Sequence, residues 1–198
     1  MSKTHRLAAV VIGGLLASLP AVSQEAGRSE VSVQAFGSFV KNTSANGIEQ
    51  GATNSGGVLA SYRFLFSEHH GLELNYGYSL NTQSYGLAAA PVGVKANQHE
   101  VTAAYVYRYP LRRFTPFVEA GVGGLVFDPT GAPGASTQAR AAFVYGAGAD
   151  FSLTKRVFLR AEYRGLVYNS PTFAYGPANG LDRVTHRAEP SIGFGYRF

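Results

Sequence analysis

Apolar and polar side chains alternate along most of the chain, and the alternation is cleanest at its end. In PSIGFGYRF, residues 190–198, Ile192, Phe194, Tyr196 and Phe198 take every second position, between Ser191, Gly193, Gly195 and Arg197. A period of two marks a strand with one apolar face. The same pattern predicts eight strands: Glu30–Val40, Gly56–Phe66, Leu72–Asn81, Gln98–Tyr109, Thr115–Phe127, Ala139–Phe151, Val157–Tyr168 and Val184–Phe198. Each meets or exceeds the ~9–11 residues that a tilted strand needs to cross a bilayer. No helical periodicity competes with this reading.

The connections alternate in length, a signal independent of hydrophobicity. SEHHG, PLRRF and SLTKR are tight turns, whereas Lys41–Ser55, Thr82–Asn97, Asp128–Gln138 and Asn169–Arg183 are long and rich in Gly, Pro, Asn, Ser and Thr. Short turns on one side and long loops on the other describe an all-β fold, an eight-stranded antiparallel up-and-down transmembrane β-barrel with its turns in the periplasm. An even strand count returns both chain ends to that side.

Volume decides which face points out. One face carries Val33, Val58, Phe64, Leu72, Tyr78, Tyr105, Val122, Phe143, Tyr163, Phe194 and many more large side chains; the other carries Ser, Gly, Asn and a limited set of charges. A barrel of eight strands has an interior just wide enough for side chains to fill. The bulky face is therefore expected in lipid and the small polar face in the lumen. Aromatics crowd the turn-side strand ends, with Tyr62, Phe64 and Phe66, then Tyr105, Tyr107 and Tyr109, then Tyr196 and Phe198, as an interfacial girdle would.

Composition agrees. Charged residues are 15 % of the chain, against roughly 25 % in soluble domains. After residue 23 no apolar run is long enough for a membrane helix. The N-terminus, MSKTHR followed by LAAVVIGGLLASLPAV, reads as a secretory signal peptide over residues 1–23, leaving residues 24–198 as the barrel domain. Its removal takes Lys3 and Arg6 and lowers the formal charge from +5 to +3, too balanced to suggest nucleic acid as a partner. With no cysteine, an exported fold has to hold without disulfides.

The lumenal face holds arginines 63, 108, 140, 160, 164, 187 and 197 and the acids Glu73, Glu100, Glu119, Asp150, Glu162 and Glu189. Unpaired charge in so narrow a space costs several kcal/mol, so mutual pairing is expected. Arg63, Glu73, Arg108, Glu119, Asp150, Arg160, Glu162, Arg164 and Arg197 are the predicted ionic network, concentrated toward the turns and plugging the barrel. Inward glycines are expected to make room for the arginines. Pro190 falls inside the last strand, where a closed barrel offers no free edge, so a bulge or a lost ladder bond is expected there.

Nothing in the sequence assembles into catalysis. His99 and His186 start opposite strands and cannot share a metal, and His69 with His70 in a turn is a weak ligand pair. His186 is the one attractive base, but its same-face neighbour Ala188 stands where a nucleophilic serine would be needed. The expectation is no catalytic, metal or cofactor site. Tyr85, Phe173 and Tyr175 in the long loops suit contact with a partner.

The signal peptide, the eight strands and the terminal PSIGFGYRF resemble the small outer-membrane β-barrel superfamily, which includes the OmpA membrane anchor, OmpX and OmpW. The resemblance implies that Ile192, Phe194, Tyr196 and Phe198 match the C-terminal signal read by the barrel assembly machinery. It also implies a monomer in contact with outer-membrane lipid and lipopolysaccharide, with a structural or surface-interaction role. A narrow channel for small or apolar solutes is the alternative, and a lipid A-modifying enzyme the third reading. Deletion of Phe198 is expected to lower outer-membrane levels while leaving export intact, as read by fractionation and immunoblotting; unchanged outer-membrane levels contradict the assembly-signal reading.

Overall fold

The computed structural model describes residues 28–41, 43–45, 48–87, 92–130, 134–171 and 184–198. The predicted signal peptide and the loop residues Phe173 and Tyr175 lie outside them. Ten strands follow in chain order: β1 (Ser29–Val40), β2 (Thr43–Ala45), β3 (Ile48–Ala52), β4 (Ser55–Leu65), β5 (His70–Leu87), β6 (Val92–Arg108), β7 (Phe114–Thr130), β8 (Gln138–Ser152), β9 (Val157–Asn169) and β10 (Val184–Arg197). All pairings are antiparallel.

Eight of the ten strands form a closed ring in the order β1-β4-β5-β6-β7-β8-β9-β10, with β10 paired back onto β1. The predicted transmembrane barrel is therefore present. Two expected loops are structured instead. The connection at 41–55 contains the β2–β3 hairpin, which pairs with the far end of β5. The connection at 82–97 is mostly strand, since pairing continues from Thr82↔Lys95 to Tyr85↔Val92. Backbone pairing needs no apolar row, so these strands run on past the point where the hydrophobic alternation stops announcing them.

The register is staggered as closure requires. Following paired residues once around the ring leads from Ser29 through Phe64, Leu72, Tyr105, Ala120, Tyr145, Gly165 and Ala188 to Phe39, ten residues further along β1. Such a shear tilts the strands and sets the width of the interior. The faces sort as volume predicts: Val122 is 65 % exposed and Phe194 61 %, whereas Arg63 and Arg164 are fully buried.

Among the described residues five rings also point inward, namely Phe36, Phe117, Phe127, Phe158 and Tyr168. Glycines admit them. A Cβ on Gly195 would lie 2.1 Å from the Phe158 ring, and one on Gly148 would lie 2.7 Å from the Phe117 ring. Gly148 and Gly195 thus yield space to rings rather than directly to arginines, while a Cβ on Gly121, Gly123 or Gly193 would first meet the backbone of the neighbouring strand; the guanidiniums lie on those rings, with Arg63 4.2 Å from the centroid of Phe117 and Arg197 4.6 Å from that of Phe158.

Pro190 costs one ladder bond and no register. The β1–β10 pairing skips Gly37 and Ser38, opposite Pro190 and Glu189, and resumes with the same offset at Phe39↔Ala188. Both skipped pairs need a Pro190 N–H donating to the Gly37 carbonyl, which proline lacks. There is no bulge, because no residue is inserted on either strand. Pro190→Val restores the donor and is expected to raise stability by about 1 kcal/mol, read as a higher urea midpoint for the barrel refolded in lipid vesicles. A lower midpoint would show that the ring itself packs favourably there.

Candidate functional site

The sequence directs charge into the barrel from every wall strand, and the shear brings distant positions to one level. Near the turns, Glu30 of β1 is the hub. Its carboxylate accepts from Arg108 and Arg197 at 2.8 Å each and from Arg160 at 3.4 Å, with Arg63 at 3.8 Å. Glu73 accepts from Arg63 at 2.5 Å and Arg160 at 3.0 Å. Asp150 accepts from Arg160 at 2.7 and 3.0 Å, a two-toothed contact, and from Arg63 at 3.5 Å. Arg197 comes within 3.9 Å of Asp150. Three carboxylates thus face four guanidiniums, all largely withdrawn from solvent.

Several of these pairs span the barrel. In the ring order, β4 lies opposite β8, β5 opposite β9 and β6 opposite β10. Arg63 of β4 nonetheless reaches Asp150 of β8 at 3.5 Å, and Glu73 of β5 reaches Arg160 of β9 at 3.0 Å. Arg187 of β10 reaches Glu100 of β6 at 2.5 Å and Gln98 of β6 at 2.8 Å. These contacts bridge opposite walls through the interior.

A second cluster sits further from the turns. Arg164 bonds Glu100 and donates to Thr102 at 3.0 Å and Glu189 at 3.4 Å. Arg187 pairs with Glu189 at 2.6 Å as well as with Glu100. The ion pairs thus continue from the turn-side cluster into a second one on Glu100, Arg164, Arg187 and Glu189. Beside and above it, Val94, Ala96, Leu125, Phe127, Ala142, Val144, Leu166 and Tyr168 form a buried apolar cluster toward the loop side. Alternation of polarity could not reveal this cluster, because those strand ends are apolar on the inward face too.

Between the two clusters, Glu73, Glu119 and Glu162 bring carboxylate oxygens within 4.8 Å of one another. Glu73 is neutralised by its two arginines. Glu119 lies 3.4 Å from Arg164 but neither of its oxygens accepts a hydrogen bond, and Glu162 accepts from Gln34 at 3.2 Å. All nine predicted network residues are thus in the lumen, but pairing among them is uneven: Arg63, Glu73, Arg108, Asp150, Arg160, Arg164 and Arg197 are strongly engaged, Glu119 and Glu162 weakly. Glu30 was missed as a lumenal acid, although it shares the parity of Ser32, Gln34 and Ser38. Arg140 stands apart near the loop ends, donating to Gln138 at 3.0 Å and the Ser170 carbonyl at 3.4 Å.

On the outer wall, His186 shares a hydrogen bond with the Tyr145 hydroxyl at 2.8 Å, and His99 with that of Tyr76 at 2.9 Å. Their strands are opposite one another. His70 bonds Tyr105 and stacks on Phe66 with centroids 6.1 Å apart, inside the expected girdle. Ile192, Phe194 and Tyr196 are exposed in one outward row, and Tyr196 stacks on Phe198 at 6.3 Å.

The chain matches the family model described as outer membrane protein beta-barrel domain over residues 7–198. Among solved structures it is similar to the outer membrane protein OprG of Pseudomonas aeruginosa, at 16 % identity and a TM-score of 0.61, covering 89 % of this chain and 99 % of that one. It is similar to Neisserial surface protein A, at 15 % identity and a TM-score of 0.63, covering 88 % and 100 %. For the attachment invasion locus protein Ail of Yersinia pestis the values are 20 %, 0.52, 87 % and 99 %. At these identities the likeness is one of fold. No curated protein matches the chain.

The uneven pairing separates two substitutions that sequence alone treats alike. Arg160→Met strips a cation from Asp150, Glu73 and Glu30 and is expected to cost ~3–5 kcal/mol. Glu119→Gln removes a carboxylate that holds no hydrogen bond and is expected to change stability by less than ~1 kcal/mol. Urea unfolding of the refolded barrel in vesicles checks both, and equal losses for the two variants would contradict the assignment.

Proposed function

The chain belongs to the outer membrane protein beta-barrel domain family, and from that premise we propose that it is a non-enzymatic outer-membrane barrel with a structural or surface-interaction role, its lumen closed by the ionic network. The observation that carries this reading is the set of ion pairs joining opposite walls, Arg63–Asp150, Glu73–Arg160 and Arg187–Glu100. Steady permeation needs a continuous aqueous path, and branched guanidinium contacts across the diameter put protein where that water would run. With the lumen occupied, the surfaces left for function are the outer wall, the turns and the loop side with its extra β2–β3 hairpin.

Several features support the remaining parts of the reading. The outward aromatic levels fit contact with outer-membrane lipid and, on the loop side, lipopolysaccharide. The exposed row Ile192, Phe194 and Tyr196, continued by Phe198, fits recognition by the assembly machinery before the strand is sealed against β1. Closure of the eight-stranded ring leaves none of its wall strands a free edge along the membrane span for a second copy to extend, in keeping with a monomer. The N-terminal segment fits export by a cleaved signal peptide. His186 supports no enzyme, since its ring bonds a tyrosine and its same-face neighbour is Ala188.

Planar-bilayer recording of the refolded protein is the test. No steady conductance is expected; a stable, charge-selective conductance would overturn the closed-lumen reading. Unchanged lipid A mass in cells expressing the chain is expected in parallel, and a shifted mass would replace the non-enzymatic reading.

A further inference from the structure

The turns carry a feature that barrel closure does not require. Between β6 and β7 the chain reverses over Arg112 and Arg113, with Leu111 and Phe114 exchanging backbone hydrogen bonds of 2.8 and 2.7 Å. Arg112 is held at φ 45°, the one left-handed non-glycine among the described residues. Two-residue reversals of this kind favour Gly, Asn or Asp, which adopt positive φ at little cost. Here the backbone holds an arginine in a conformation it disfavours, and strain of this sort concentrates at binding sites.

The neighbouring reversal, between β8 and β9, presents Lys155 beside it. Together the two turns border a concavity of about 450 Å³ lined by Arg112, Arg113, Ser152, Leu153, Lys155 and Arg197 among others. Arg197 is the lining residue that also belongs to the ionic network. Its Nε is bound to Glu30 at 2.8 Å and its Nη1 to Ser152 at 2.9 Å, while Nη2 lies 3.9 Å from Asp150 and makes no hydrogen bond. Across the three tight turns Glu68 is the one acidic side chain, against Arg112, Arg113, Lys155 and Arg156.

The depth of the concavity is fixed by its apolar shoulder. Phe114 and Phe151 are paired across β7 and β8, both exposed on the lipid-facing side, and Leu153 is exposed at the rim. Phe114 directly follows Arg113, and Phe151 directly precedes Ser152, which lines the concavity. Rings of this kind sit at the membrane interface. The cations next to them are therefore at headgroup depth, with an apolar surface alongside for acyl chains.

We propose that this concavity binds the phosphate of an anionic phospholipid headgroup in the periplasmic leaflet. The guanidiniums of Arg112 and Arg113 are suited to take two phosphate oxygens each, Lys155 supplies a third positive charge, and Leu153 and Phe151 lie against the chains. The proposal rests on the outer-membrane orientation given above, with the tight turns toward the periplasm.

The test compares spin-labelled phosphatidylglycerol and phosphatidylcholine at the surface of the full chain in phosphatidylcholine vesicles, by electron spin resonance. The parent is expected to prefer phosphatidylglycerol by roughly fivefold or more, the scale of one engaged cation. Arg112→Gly with Arg113→Asn supplies turn residues that suit a positive φ, so the hairpin is retained without its charge, and adding Lys155→Gln is expected to bring the preference to parity. Heat-modifiable gel migration confirms that the triple variant is folded. No preference in the parent, or an unchanged preference in the folded variant, would overturn the proposal. Excess inorganic phosphate is expected to leave the preference intact; its abolition would assign the concavity to free phosphate instead. Thr154→Cys, a unique thiol in a chain without cysteine, is expected to react with an impermeant maleimide only after the outer membrane is breached. Labelling from outside would overturn the orientation and the lipid site together, whereas periplasmic labelling with no lipid preference would overturn the lipid site alone.

Discussion

A chain that crosses a bilayer as strands has to pair every backbone N–H and C=O within itself, because the hydrocarbon offers no partner. In this protein that demand is met at the seam where β10 returns to β1. The seam makes the first and last strands neighbours, removes the edge that an aromatic terminal strand would otherwise expose, and fixes the shear. Its single omission, the bond that Pro190 cannot donate, is tolerated because the pairs on either side hold the register.

Closure at eight strands then determines what the interior can be. The interior of eight strands is narrow enough for side chains to fill, and charge buried there favours pairing. The resulting order is layered. A cluster built on Glu30, Glu73 and Asp150 lies toward the turns, a second on Glu100 and Glu189 lies further up, and apolar side chains fill the space beside it. Glycines give up their volume to Phe117 and Phe158, and the guanidiniums rest on those rings. Ion pairing, ring packing and glycine placement are parts of one solution to filling a fixed cylinder.

What remains variable lies outside that cylinder. The turns need only reverse the chain, so an arginine pair at a strained reversal is more than the fold requires. The loop side needs only connect strands, yet it adds a hairpin and extends β5 and β6 beyond their apolar alternation. These are the places where sequence can change without disturbing the lumen.

The sequence by itself determined the eight strands of the barrel wall, their alternation, the short turns and which face meets lipid, because each depends on neighbours along one strand. Val33, Val58, Phe194 and their like are apolar at every second position, and local chemistry is enough to read that. It also disclosed most of the lumenal charge, and the parity of Glu30 could have disclosed the rest. Only the tertiary structure decided who pairs with whom. Arg63 meets Asp150, eighty-seven residues away, because four strands and a ten-residue shear place them on one diameter. The same long-range geometry leaves Glu119 and Glu162 weakly engaged, turns the 82–97 connection into strand and gathers two separate turns into one basic concavity. Contacts across a closed ring depend on the circumference, and no stretch of sequence contains that.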